Sequence, residues 1–267
     1  MAPSPEPPAR RTAVDRRKLA LEKVRAREFV PVADLAAELG VSVVTARGDV
    51  AHLAEAGLVR RVRGGAIIAR AEQSEPPFED RLGTFAQEKA TLGMAAAGMV
   101  TPGSAVVLDG GTTCLAVAKA IVARHDLEDL TVYTPSLSTA TALVAAAPRV
   151  TVVVTGGTLL PQAQTLGGPY SELILDRVIA TTAFIGCNGV SDADGISAAD
   201  PGEAELKRRM LASAKTGVVV TDASKFVQHG TARVCHVDEV GLVLTAGTVD
   251  RALIAAVTGA GGTVREV

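Results

Sequence analysis

Two sets of residues in this 267-residue chain have types and spacings suited to chemistry. The first is cationic. Ser42, Val43, Val44, Thr45 and Arg47 open a helical pattern in which Ala46, Val50 and Leu53 recur at i, i+4 and i+7. If those three face inward, the first five and Gly48 lie toward the exposed start of the helix. Arginine forks onto guanine O6 and N7, hydroxyls reach phosphates or bases, and valines touch thymine methyls. Leu58–Ile68 follows, with Arg60, Arg61 and Arg63 around a Gly64-Gly65 pair, and reads as a β-hairpin wing. Strand alternation puts Arg61 and Arg63 on one face and Arg60 on the other, suited to phosphates or a minor groove. A solvated charged helix face and an ordinary edge ribbon are the plain alternatives; the adjacency of the two elements favours duplex DNA.

The second set collects where short apolar runs end: Asp109, Gly110, Gly111, Thr112 and Thr113, then Ser136, Gly156 and Gly157, Asn188, Asp222 and Lys225. An Asp-Gly-Gly-Thr-Thr turn entering a helix suits phosphate, because backbone N–H groups converge, the helix N-terminus adds positive potential and two hydroxyls donate. A purely structural tight turn has the same composition. No G-x-G-x-x-G follows a strand and no G-x-x-x-x-G-K-[ST] occurs, so dinucleotide and P-loop chemistry lose support. His52, His125, His229 and His236 are scattered, with no H-x-x-x-H pair and no cysteine nearby, and no serine stands in a G-x-S-x-G turn. No metal and no cofactor are expected.

The elements that must hold these residues divide by charge. Residues 1–70 carry 13 Lys+Arg against 8 Asp+Glu, and residues 71–267 carry 14 against 21, so a head of +5 joins a body of −7. A basic module on an acidic one suggests a polyanion-binding head on a different kind of body. In the head, Leu19, Leu21, Val24, Phe29 and Val30 recur at near-helical spacing, Val32 to Leu39 forms a second helix ended by Gly40, and Ser42 caps a third that Gly57 closes. Helix, glycine turn and helix is the helix-turn-helix pattern. Four prolines in the first eight residues predict a disordered tail over 1–12, and the polar stretch from 71 to 80, with Pro76 and Pro77, predicts a linker between a 13–70 head and an 81–267 body.

In the body, an Ala-rich helix spans Thr84–Val100. Strands follow at Ala105–Leu108, Leu130–Thr134, Val150–Thr155, Thr182–Cys187, Gly217–Thr221 and Val240–Thr245, with an edge strand at Thr263–Val267. Helices run to about Arg124, from Ser136 to Ala147, over Glu203–Ala214 and over Val249–Val257. Continuous apolar strands alternating with helices predict a mostly parallel sheet covered on both faces, with ligands at the carboxyl ends of its strands. No apolar run approaches a membrane span, the N-terminus has no secretory h-region, and three widely spaced cysteines argue for a reducing cytoplasm.

Ser42, Thr45, Ala46, Arg47, Asp49 and Val50 fit the pattern S-x-x-T-[apolar]-R-[basic]-D-[apolar] of the winged helix-turn-helix in the DeoR family of bacterial transcription regulators, and the head resembles it. In the body DGGTT, TPSL, TGGTL, FIGCNGV, GEAELKRRM and TDASKF occur in the family's order. The resemblance implies a Rossmann-like α/β effector domain similar in fold to ribose-5-phosphate isomerase, and a repressor of a sugar or carbohydrate catabolic operon. Its partners would be an operator duplex, a phosphorylated sugar and further copies of itself in a dimer or tetramer. By resemblance, Gly111, Thr112, Thr113 and Ser136 hold phosphate, Asn188, Glu205 and Lys207 face the sugar, and Lys225 neutralises charge. Glu205 and Lys207 as a surface ion pair on a helix remain the alternative. Gly48, Pro135, Leu160, Gln162 and Asn188 depart from the family pattern. Fewer cations near the site point to one phosphate, or to an uncommon ligand. A sugar-phosphate isomerase with a DNA-binding head is the enzyme alternative; it needs a positioned base, and Asn188 is neutral where an Asp would serve, so binding without turnover is expected.

Overall fold

The computed structural model describes residues 13–25, 27, 30–55, 59–62, 64–68, 78–161 and 163–267. The chain divides into two compact units, 1–73 and 74–267.

In the first unit the elements are α1 (Ala13–Arg25), β1 (Val30–Pro31), α2 (Val32–Leu39), α3 (Val43–Glu55), β2 (Val59–Val62) and β3 (Gly65–Ile68). Helix α2 buries Leu35, Ala36 and Leu39 on one face and ends at Gly40, whose φ of 67° lets its N–H turn back to Ala36 and Ala37 carbonyls. Ser42 caps α3: its Oγ accepts from Thr45 N–H at 3.1 Å. Ala46, Val50 and Leu53 are buried against Ala20, Val24 and Leu35. β2 and β3 form the expected antiparallel hairpin, with Val62 opposite Gly65.

One expectation fails here. Val30 does not continue the first helix but pairs with Ala66 as an added antiparallel strand, giving the order β1-β3-β2. The following Pro31 has no N–H for a helical ladder, so the segment is extended before α2 begins. Gly57 and Phe29 lie outside the described residues.

Asp49 is the polar anchor of this unit. It is 3% exposed, and its carboxylate accepts from Arg16 at 2.5 and 3.1 Å and from Arg17 at 3.2 Å, joining α1 to α3. Burial opposes its ionisation, but the two guanidiniums win and hold its pKa below the usual carboxylate value.

In the second unit α4 (Phe78–Leu82) and α5 (Ala86–Ala97) lead into β4 (Ala105–Leu108), α6 (Gly111–Ala123), β5 (Leu130–Thr134), α7 (Leu137–Leu143) and β6 (Val150–Val154). Next come β7 (Thr158–Leu160), β8 (Thr165–Gly167), α8 (Pro169–Leu175), β9 (Ala180–Ile185), β10 (Gly189–Ser191), β11 (Gly195–Ala198), α9 (Pro201–Ala212) and β12 (Ala214–Asp222). β13 (Ala232–Cys235), β14 (Leu242–Ala246), α10 (Arg251–Gly259) and β15 (Val264–Glu266) complete the chain.

Seven strands form one sheet in the order β15-β14-β12-β9-β4-β5-β6, with every neighbouring pair parallel. Leu92, Val117, Ala118 and Ile121 of α5 and α6 cover one face with Val106 and Phe184; Ala204, Leu206, Met210 and Val257 of α9 and α10 cover the other with Val107 and Ile185. Central strands are therefore apolar on both sides, which is why they read as continuous runs. The expected parallel α/β body is present. Helix α4 begins at Phe78, within the last three residues of the expected 71–80 linker, where Phe78 has a buried seat. No helix among the described residues is long and apolar enough to cross a membrane.

Replacing Asp49 by Asn weakens two charge-assisted contacts to a buried group and is expected to cost about 2 kcal/mol of head stability, read as loss of hydrogen-exchange protection in α3. In the wild-type protein this contribution is full above the ordinary carboxylate range. It is lost as pH falls through the lowered pKa of the folded state.

Candidate functional site

In the head, the exposed start of α3 displays apolar side chains to water: Val44 is 77% exposed and Val43 40%. Arg47 and Gly48 are exposed beside them, and Thr45 is half-buried. Ser42 and Thr45 hydroxyls lie 2.9 Å apart, so part of their hydrogen-bonding capacity serves the cap. The head's cations sort into two groups. Arg16 and Arg17 serve Asp49, and Lys23 and Arg27 serve Glu38 at 2.6 and 2.9 Å. Arg47 and exposed Arg61 have no acidic partner among the described residues. Arg63, and the side chain of Arg60, lie outside the described residues.

In the body, successive strands step outward from β4 in one direction through β5 and β6, and from β9 in the other through β12, β14 and β15. The crevice between the carboxyl ends of β4 and β9 is thus the topological switch point, where ligands bind in open α/β sheets. Asp109 stands there. Its carboxylate accepts from Gly110 N–H at 2.7 Å and Gly186 N–H at 3.0 Å, and from the Lys207 ammonium of α9. Lys207 also meets Glu203 at 3.1 Å. Burial works against its charge, but Asp109 and Glu203 outweigh it and raise its pKa, so Lys207 stays protonated. Two carboxylates share one ammonium, which leaves that cation no spare charge for a ligand.

What faces outward is backbone. Gly110, the residue before α6, has no side chain to cap the helix, and Gly111 follows with φ of 89° and open space around its α-carbon. Only glycine adopts that conformation without strain. Thr112 is buried and Thr113 half-buried in the same first turn. The β7–β8 hairpin, invisible in the sequence pattern, lies over this turn. Thr165 pairs with Ser136, Leu137 N–H donates to Gln164 O at 3.1 Å, and a β-carbon at position 110 would strike Thr165 Oγ1 at 2.3 Å.

Several residues expected at the ligand hold contacts within the chain. Ser136 is fully buried; its Oγ accepts from Thr139 N–H at 3.2 Å and lies 3.0 Å from Ser138 Oγ, so it caps α7. Glu205 is separate from Lys207: it pairs with Arg208 at 2.7 Å and Arg209 at 3.0 Å on the outer face of α9, and those guanidiniums lower its pKa. Residues two apart on a helix point to nearly opposite sides. Glu203, at i−4 from Lys207, is the partner that sequence reasoning missed, although its spacing signalled it. Asn188 is 8% exposed, and no partner for its carboxamide exists among the described residues. Lys225 is half-buried, with Nζ 2.8 Å from Gln228 Oε1. Leu160 is exposed on β7, and Gln162 lies outside the described residues.

Catalytic chemistry finds little purchase here. Asp109 accepts from three donors and is not a free base. Burial pushes the Cys187 thiol up to about 11 and the Cys235 thiol to about 12, so neither offers a thiolate near neutral pH. No cluster of His, Cys, Asp and Glu among the described residues suits a metal ion.

A winged helix-turn-helix joined to a parallel α/β domain is the architecture of a DNA-binding transcription regulator. Residues 16–72 match the DeoR-like helix-turn-helix domain and residues 84–246 match the DeoR C terminal sensor domain. The HTH-type transcriptional regulator GolR of Listeria innocua is 30% identical over 84% of this chain and 87% of its own length. The transcriptional repressor AccR of Agrobacterium fabrum is 30% identical over 86% and 88%. Ribose 5-phosphate isomerase A from Methanocaldococcus jannaschii is similar in structure over 53% of this chain and 55% of that one, at 16% identity and a TM-score of 0.40. The chain belongs to the DeoR family of transcription regulators.

Lys207→Met strands a buried carboxylate and is expected to cost about 3–5 kcal/mol in urea unfolding of the body. Adding Asp109→Asn to the same chain should recover at least half of that loss.

Proposed function

We propose that this regulator represses a carbohydrate-catabolic operon and that a phosphorylated sugar, bound at the end of β4, releases it from the operator. The observation that carries the reading is the uncapped first turn of α6 at the switch point. Gly111, Thr112 and Thr113 present backbone N–H groups and hydroxyls there, where a helix N-terminus favours an anion. Because Lys207 is committed to two carboxylates, the phosphate is held by these groups and by Lys225, with Asn188 left for a sugar hydroxyl. AccR, and the relative GlcR of Bacillus subtilis (32% identical over 78% of both chains), are named as transcriptional repressors.

On DNA, Val43, Val44 and Arg47 read base edges, Ser42 and Thr45 meet phosphates, and Arg60, Arg61 and Arg63 hold the flanking backbone. The head is assigned to residues 13–70 and the linker to 71–80. The protein acts in the cytoplasm as a dimer or tetramer, because one recognition helix reads one half-site. A route for release runs through the hairpin over the cradle. Gln164 Nε2 donates to Glu79 Oε1 at 3.0 Å, so its loop is tied to α4, the first described element of the second unit. A coupling of about 1–3 kcal/mol suffices.

Arg47→Ala is expected to cost about 1–3 kcal/mol of specific operator binding in a gel-shift titration against scrambled DNA. Unchanged affinity would remove Arg47 from the interface. Thr112→Val with Thr113→Val should bind the operator normally and no longer release it with any sugar phosphate that releases the wild type. Normal release by that variant would sink the cradle assignment.

A further inference from the structure

The two edges of the seven-stranded sheet are built differently. β15, at one edge, is three residues long and displays Arg265 and Glu266 to solvent; short length and charge keep sheet edges from pairing with other chains. β6, at the other, reads Val150-Thr151-Val152-Val153-Val154, with no charge, proline or bulge. Its ladder to β5 fixes which backbone groups are left over. Thr155 N–H donates to Thr134 O, and Leu130 N–H donates to Arg149 O. Residues 149, 151, 153 and 155 therefore turn toward β5, and the N–H and C=O groups of Val150, Val152 and Val154 point outward.

Apolar side chains flank this bare edge on both faces. Val144, 68% exposed, lies in the turn that packs on β6 from the α7 side. On the opposite face α8 begins beside the chain leaving β6, where the Ser171 hydroxyl donates to Gly156 O, and it turns Tyr170 and Leu173 to solvent. At about 100 Å² per well-exposed side chain, Val144, Tyr170 and Leu173 offer about 300 Å² of apolar surface, and the partly exposed Val152, Val153 and Val154 extend it. Interfaces are about 60% apolar, so this corresponds to at least about 500 Å² per partner, or about 1,000 Å² in all, the size at which a specific interface begins. Glu172 on α8 and Arg177, just beyond its C-terminal end, are not paired within the chain among the described residues. Charges of opposite sign near one axis are self-complementary, because each meets the other on the second copy.

We propose that a second copy of this chain covers the β6 edge, with the two β6 strands antiparallel about a two-fold axis near Val152 and the sheet continuous across the dimer. The pairing rests on the bare edge and its flanks; only its consequence for operator binding rests on the proposed role of α3.

Sedimentation of the full chain at micromolar concentration tests this. Thr151 is exposed and faces away from α7, so Thr151→Lys leaves the monomer folded while adding like charges across the axis. Val154→Pro removes an outward N–H and leaves the β5 ladder whole. The wild type is expected as a dimer or a multiple of one, and both variants at half its mass with unchanged far-ultraviolet dichroism. A monomeric wild type, or Thr151→Lys at full mass, overturns the proposal. Operator affinity reports separately on α3: it should fall about 10²-fold when the heads are unlinked. Half mass with unchanged affinity still supports the edge pairing and counts against paired heads.

Discussion

The buried carboxylate of Asp109 is the joint on which the sensing domain turns. It binds the end of β4 through Gly110, the end of β9 through Gly186, and α9 through Lys207. Those are the two strands at which the sheet reverses its order and the helix covering its far side. Burying two charges costs several kcal/mol each unless geometry and extra hydrogen bonds compensate, and here the two amides and Glu203 complete the set. The result is a crevice whose floor is fixed and whose nearest cation is already neutralised. Attraction for an anion then falls to the α6 backbone, whose dipoles are fixed in place and need no reorganisation.

The head repeats this logic on a smaller scale. Asp49 draws Arg16 and Arg17 inward and Glu38 occupies Lys23 and Arg27, so a net charge of +5 overstates what reaches a partner nearby. Distant steering depends on the total, and close docking depends on the unpaired residues. Arg47 and Arg61 are those residues among the described ones, next to two valines left in water. Solvent-exposed valines are poor helix formers and gain nothing from hydration, so their place at the start of α3 fits the duplex contact proposed for them.

Much of this was legible in the sequence because period and burial agree. α2, β4 and β5 stand where their apolar runs end, since each run is limited by Gly40, by Asp109-Gly110 or by Pro135. Val30 fitted a helical spacing and became a strand because Pro31 forbids continuation and β3 offers an open edge. The β7–β8 hairpin carries three exposed residues in β7 and no alternation to reveal it; only its tertiary seat over Gly110 makes it regular. Within the site, the alternative of a Glu205–Lys207 ion pair fails on helix geometry, which pairs Lys207 with Glu203 at i−4. Ser136, expected at the phosphate by resemblance, ends a strand and also starts a helix, where its Oγ accepts from Thr139 N–H.

Gly48 shows how far packing constrains the reading face. A β-carbon at that position would meet nothing within 4 Å, so the fold does not ask for glycine there, and in a helix interior glycine is about 1 kcal/mol worse than alanine. The cost is borne on the same exposed face as Val44 and Arg47. Removing the side chain lets that stretch of backbone approach a base edge or phosphate more closely than any other residue would allow. It also withdraws a side chain from readout, so discrimination between bases passes to the valines and Arg47. On the proposed reading of α3, one smooth position and two apolar ones suit thymine methyls and groove shape around a single guanine contact by Arg47.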